Sequence, residues 1–163
     1  MQNVDKIAFL EKEIDLLLGW IKAIERRITL ILPLSTTMLG ALALLAPKPS
    51  EWLVWAGIFS AFAVFFLISS IVCAAISSFP RTDGPKGSLI FFGGIAKKEK
   101  EQYKSEIENL SEGKYIEDLI AQCHINAQIA EKKYSWIQKS MACLFFSSLP
   151  WSISVYFFYS GTN

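Results

Sequence analysis

The chain has 163 residues, 52% of them hydrophobic, with a mean hydropathy of +0.34 and a net charge of +1. That length and apolarity leave no room for a large soluble enzyme domain, and the near-neutral balance gives nucleic-acid binding no electrostatic support. Three charge-free runs, residues 28–46, 52–79 and 140–163, each approach or exceed the roughly 20 residues a helix needs to cross a bilayer.

Taken in chain order, the first element is a seam. Ile7, Ile14, Ile21 and Ile28 recur every seven residues, and Leu10, Leu17, Ile24 and Ile31 follow three behind. Such alternation of three and four marks a helix packed against another helix. It continues without a break into the first charge-free run, which predicts one long helix from Val4 to Leu45, with Pro33 a candidate bend. The run 52–79 predicts a second membrane helix. Arg81-Thr-Asp-Gly-Pro-Lys-Gly-Ser reads as a turn-rich exit from it; the GxxxxGK[ST] spacing of a phosphate loop is not met. Leu89-Ile-Phe-Phe-Gly-Gly-Ile is too short to span and too apolar for free solution, so an interfacial or tucked-in segment is expected. Residues 97–110 predict a charged helix with Tyr103, Ile107 and Leu110 inward, ended by Ser111-Glu-Gly. A second seam, Ile116, Ile120, Cys123, Ala127, Ala130, Tyr134, Ile137 and Met141, leads into the third run. The two seams pair either within one chain or between copies.

The expected fold is therefore all-α: a three-span integral membrane protein with helical cytosolic stalks continuous with spans one and three. Its parts are a cytosolic N-terminal helix (1–27), spans at 28–46, 52–79 and 140–160, and a cytosolic helical region (80–139). Five Lys and Arg fall in 1–27, ten in 80–139 and only Lys48 between the first two spans. Cytoplasmic flanks collect such residues, so the N-terminus and 80–139 are expected inside and the C-terminus outside. Trp52, Trp55, Tyr156 and Tyr159 then fall near the outer face. The charged first 27 residues do not read as a secretory signal.

Signals of enzyme chemistry are nearly absent, and no catalytic or metal-ligating residue is assigned. His124 stands alone, and Cys73, Cys123 and Cys143 lack metal-ligand or disulfide spacing, so free thiols are expected. The spans hold no Asp, Glu, Lys, Arg or His, which argues against a transporter or ion relay. They do hold small residues four apart: Thr36 and Gly40, Gly57 and Ala61, Ala56 and Ser60, Ser148 and Ser152. Such pairs permit close helix contact, either inside one subunit or on a self-association face of a homo-oligomer. Arg26 and Arg27, with Lys132 and Lys133, lie at the inner membrane face. They serve either as anchors to anionic lipid or as a phosphate-sized site, with Tyr134 or Trp136 available to stack on a base.

Several motifs carry a resemblance. Trp20-Ile-Lys-Ala-Ile-Glu-Arg-Arg enters a span; Phe91-Phe-Gly, Tyr115-Ile-Glu-Asp-Leu and Gln122-Cys-His-Ile-Asn-Ala-Gln-Ile-Ala-Glu-Lys-Lys-Tyr follow in order. Their order and placement resemble the transmembrane effector family of the Pycsar (cyclic pyrimidine nucleotide) antiphage defence system. In the family's Trp-Ile-x-x-Ala-Asp-x-Lys motif, Ile24, Glu25 and Arg27 stand at the last three defined positions. The late motif is matched by Asp118, Leu119, Gln122, Asn126, Ile129, Lys132, Lys133 and Tyr134. The resemblance implies a bacterial inner-membrane effector, with no cofactor, that answers cyclic CMP or cyclic UMP made by a pyrimidine nucleotide cyclase and impairs the membrane to cause abortive infection. Glu25, Arg27, Gln122, Asn126, Lys132, Lys133 and Tyr134 are the ligand-binding candidates it suggests. The rival reading is a ligand-independent scaffold whose stalks recruit a cytosolic partner.

Overall fold

The structure, a computed structural model, describes residues 2–48, 54–80, 84–85 and 87–160. Five helices follow in order: α1 (Asn3–Leu45), α2 (Val54–Ser78), α3 (Phe92–Ile95), α4 (Lys100–Glu108) and α5 (Glu112–Ser160). No strand occurs among the described residues. The turn expected at 47–51 and the start of the second span at Trp52 lie largely outside the described residues. So do the exit residues 81–83, Lys86 and the tail 161–163.

Helices α1, α2 and α5 are each long and apolar enough to cross a membrane. At 43 and 49 residues, α1 and α5 are about twice the length a span requires. Their surplus is the polar half of each, and the chain divides accordingly. One unit comprises Met1–Ala23 with Pro80–Lys132, the other Ile24–Phe79 with Lys133–Asn163. Both long helices contribute to both units.

In the membrane unit, Ile24, Ile28 and Ile31 of α1 pack with Ala74 of α2 and Ile137 of α5, while Leu42 packs with Ala56, Ala63 and Phe158. Helices α1 and α5 therefore run parallel, and α2 runs against both. The buried positions of α2, from Ala56 through Ser60, Ala63, Leu67, Ser70 and Ala74 to Ser77, alternate by four and three and are mostly small. Small side chains let helices approach closely where lipid supplies no hydrophobic drive to associate. Bulky residues face outward instead, among them Phe62, Phe65, Phe145 and Phe146. Trp151 Nε1 on α5 donates to the Met38 carbonyl of α1 at 2.8 Å.

In the polar unit, Ile7, Leu10, Ile14, Leu17 and Ile21 are the more buried face of α1, as the seam predicts, while Phe9, Leu16, Leu18 and Trp20 are exposed. The partner is α5 of the same chain. Tyr115 donates to Glu11 Oε1 at 2.8 Å, Asn3 Nδ2 to Glu112 at 3.2 Å, and Cys123 Sγ to the Leu10 carbonyl at 3.5 Å.

Three local expectations are corrected. Half of the α5 seam stands and half is shifted by one residue: of the expected members Ala130 and Ile137 are buried and Ile116 and Cys123 half-buried, whereas Ile120, Ala127, Tyr134 and Met141 are exposed and Leu119, Gln122, Lys133 and Ser140 are buried instead. Apolarity misplaces it because three of its buried members are polar and satisfied by internal bonds. Ile107 is exposed and Leu110 lies beyond the end of α4. The turn precedes Glu112, which with Gly113 belongs to α5. Ser111 caps that helix, its hydroxyl accepting from the Lys114 N–H at 3.4 Å.

Candidate functional site

The apolar segment after the second span is fastened to the polar unit by polar groups, although Ile90 and Phe92 remain exposed. Gly87 turns the chain at φ 78°, a conformation that favours glycine. Ser88 follows, 3% exposed, and its Oγ accepts from the N–H groups of Ile90 and Phe91 at 3.1 and 2.9 Å. Gln122 Nε2 of α5 donates to the same oxygen at 3.1 Å. Asp118 Oδ2, one turn earlier on α5, accepts from the Leu89 N–H at 2.8 Å, and Tyr103 of α4 donates to the Leu89 carbonyl at 3.1 Å. A Cβ at Gly94 would stand 2.7 Å from the Ser88 carbonyl oxygen, so only glycine admits this close approach.

This fixed segment walls a cavity of about 530 Å³, within the roughly 300–1,000 Å³ of small-ligand sites. Its other walls are the end of α4, with Ser105, Glu106 and Asn109, and the first three turns of α5, with Lys114, Glu117, Asp118 and Ala121. Positions 114, 117, 118 and 121 follow helical spacing and so share one face.

The carboxylates differ in what they have left to offer. Glu106 accepts from Lys98 Nζ and, at 2.9 Å, from Gln102 Nε2. These bonds, that from Lys98 foremost, hold its carboxyl below the usual carboxylate value. Lys98 also reaches the Gly87 carbonyl at 3.4 Å, tying α4 to the turn. Asp118 has one oxygen committed to Leu89. Lys114 and Glu117 form no side-chain ion pair among the described residues. The cavity thus presents acceptors for hydroxyl or amino donors, with Lys114 as the cation outside any ion pair among the described residues that line it. Those acceptors suit a small polar ligand rich in hydroxyl or amino donors. Among the described residues no group of three or more His, Cys, Asp or Glu is placed to hold a metal ion.

The seven ligand candidates read from sequence separate. In the membrane unit Lys133 Nζ binds Glu25 Oε1 at 3.1 Å, and Ser77 Oγ donates to the Lys133 carbonyl at 3.0 Å. Lys133 is therefore already committed to a carboxylate. Arg27 and Tyr134, in the same unit, are exposed. In the polar unit Gln122 is buried and holds Ser88, Asn126 is half-buried and Lys132 is exposed. Sequence reasoning missed Ser88, Lys114 and Glu117. The available signal was Asp118 and Gln122, four apart beside buried Leu119, because inward polar groups require partners.

The small residues of the spans also separate. Thr36, Gly40, Ala61, Ser148 and Ser152 are exposed and Gly57 is half-buried, so most lie outside the packing between α1, α2 and α5. Ala56 and Ser60 are inside it. His124 is exposed and meets Gln128 Nε2 at 3.0 Å. The three cysteines are free thiols. Burial raises the Cys123 thiol above its ordinary value, with the negative charge of Glu13 adding to the shift.

Residues 9–160 match the family described as the Pycsar effector protein domain. The chain is similar to the Pycsar effector protein PtPycTM of Propioniciclava tarda, with 28% identity over 143 residues that cover 77% of this chain and 70% of that protein. No solved structure matches it.

Proposed function

The chain belongs to the Pycsar effector protein family, and from that premise we propose that it is a membrane effector of bacterial antiphage defence. A cyclic pyrimidine mononucleotide, cyclic CMP or cyclic UMP, made by a partner cyclase, activates it. Activation impairs the inner membrane and causes abortive infection. The observation that carries this reading is the continuity of two helices. Each of α1 (Asn3–Leu45) and α5 (Glu112–Ser160) runs unbroken from the polar unit into a segment able to span lipid. A ligand that favours one packing of their polar halves acts on the same continuous helices that enter the bilayer. The shift requires only that its affinity differ between the two states.

The ligand occupies the cavity beside Ser88. Glu117, Asn109 and Ser105 accept from ribose hydroxyl and base donors, and Lys114 pairs with the cyclic phosphate. This assignment replaces Lys133, whose ammonium is taken by Glu25. Arg27 and Lys132 remain the rival phosphate partners. The polar unit faces the cytoplasm, where the cyclase releases its product, and the positive flanks of the spans support that orientation. Copies associate through the outward small faces at Thr36 and Gly40 and at Ser148 and Ser152.

Dye-loaded vesicles of phosphatidylethanolamine and phosphatidylglycerol carrying the purified chain test the reading. Cyclic CMP or cyclic UMP is expected to release dye, and cyclic AMP is not. Equal release with and without pyrimidine nucleotide would sink it. A scaffold reading draws support from Phe9, Leu16 and Trp20, which lie exposed along the polar half of α1. It predicts capture of a protein partner with no nucleotide-dependent leakage.

A further inference from the structure

The polar side chains of the membrane unit fall into two sets. The outward hydroxyls bond to carbonyls of their own helix: Thr36 to Leu32 at 2.9 Å, Ser148 to Phe145 at 2.7 Å and Ser152 to Ser148 at 2.9 Å. They are satisfied in lipid without a neighbour. Of the inward set, Ser147 and Ser154 bond in the same way, to the Leu144 carbonyl at 2.6 Å and the Pro150 carbonyl at 2.7 Å; Ser35, Ser70 and Ser140 differ. Ser35, Ser70 and Ser140, one from each helix and all 0% exposed, form a single cluster. Ser70 Oγ lies 3.3 Å from Ser35 Oγ and 3.1 Å from Ser140 Oγ, and Ser140 Oγ donates to the Ser70 carbonyl at 2.8 Å. Ser147 and Ser154 continue the α5 row at seven-residue intervals, also 0% exposed. On α2, Ser60 is 6% exposed, and its hydroxyl has no hydrogen-bond partner among the described residues.

We propose that this buried serine seam is the polar lining of the route by which the protein breaches the bilayer: closed, its serines are sealed inside the three-helix bundle, and open, they face water. The inference rests on the membrane-impairing reading above. Three observations carry it. The spans contain no Asp, Glu, Lys, Arg or His, so hydroxyls and backbone are the main polar groups they can offer to water. Seven-residue spacing keeps the α5 serines on one helix face, so parting the helices exposes a continuous stripe rather than scattered groups. Ser60 lacks a partner in the closed bundle and gains one when water enters, which biases the bundle toward opening. The ligand of the seam is water, with the small solutes it carries.

The test combines a lock with a hydroxyl scan, both in dye-loaded vesicles of phosphatidylethanolamine and phosphatidylglycerol with cyclic CMP or cyclic UMP. In a chain with Cys73, Cys123 and Cys143 changed to Ala, the pair Ser70→Cys and Ser140→Cys is oxidised to join α2 to α5. Leakage is expected to fall to background when oxidised and to return on reduction. In the native background, which needs no cysteine removal, Ser147→Ala and Ser154→Ala are expected to lower leakage several-fold. Their lipid-facing neighbours Ser148→Ala and Ser152→Ala are expected to leave it unchanged. Full leakage from the oxidised pair, or equal effects of inward and outward alanines, would overturn the seam while nucleotide-dependent leakage of the unaltered chain stands. Absence of that leakage would overturn both proposals.

Discussion

Lys133 Nζ stands 3.1 Å from Glu25 Oε1, and the two side chains differ sharply in exposure, 5% for the lysine against 55% for the glutamate. The pair is therefore asymmetric in what its loss costs. Glu25→Gln leaves a buried ammonium without a counter-charge, whereas Lys133→Met leaves a half-exposed carboxylate that water can serve. Breaking a fully buried pair costs roughly 3–5 kcal/mol and an exposed one at most about 1. We expect Glu25→Gln to destabilise by about 1–3 kcal/mol and Lys133→Met by less than about 1. Thermal unfolding in detergent followed by circular dichroism reads both; equal losses would refute the asymmetry.

Asp118 and Gln122 are expected to act on ligand affinity through the wall they hold rather than by touching the ligand. Asp118→Ala releases the Leu89 N–H, and Gln122→Leu releases Ser88. Each removes a bond worth about 1 kcal/mol, so affinity is expected to fall by roughly fivefold. Calorimetry with cyclic CMP and cyclic UMP measures this, and a double variant tests whether the two act on one wall. Unchanged affinity in the double variant would separate the wall from the site.

Lys114 and Arg27 distinguish the cavity from the cationic site read at the inner membrane face. Loss of a charge-assisted bond to phosphate costs about 1.5–3 kcal/mol. Lys114→Ala is therefore expected to weaken nucleotide binding by roughly ten- to a hundredfold. Arg27→Ala and Lys132→Ala are expected to leave it within about twofold, the scale of surface charge effects. The opposite ranking in the same calorimetric series would return the phosphate to the membrane face.

Glu106 makes the cavity acid-sensitive. Its carboxyl is held below the ordinary value by hydrogen bonds from Lys98 and Gln102. A depressed folded value means that its contribution is present above the ordinary carboxylate range and is lost as pH falls through the folded value. Acidification from neutral is thus expected to loosen α4 against the Gly87 turn, seen as lower amide protection factors across 100–108, each rate being taken relative to an unstructured amide at the same pH. Lys98→Met is expected to show that lower protection already at neutral pH. Protection factors that do not change with pH in the unaltered chain would count against the tie.

Legibility differed by element. The α1 seam was readable residue by residue because its buried positions from Ile7 to Ile31, namely Leu17, Ile24, Ile28 and Ile31, are all apolar. The α5 seam was not, because Gln122, Lys133 and Ser140 occupy inward positions as polar residues, each satisfied by a partner on another segment. The cavity was hidden for a related reason. Its turn at 87–89 and its helix face at 114–121 are separated in the chain, and neither carries a motif by itself.

What the amino-acid order determined unaided was the crossing of lipid: three charge-free runs, their flanking cations, and the extension of α1 beyond the bilayer. Transfer of a segment into hydrocarbon depends on its own composition. Which face of each span turns inward was decided only in the folded bundle. In lipid the outside is as apolar as the inside, so hydrophobicity ceases to mark burial, and the core goes to whichever small or hydroxylated residues can meet. Hence Phe145 and Phe146 face outward while Ser140, Ser147 and Ser154 are sealed within.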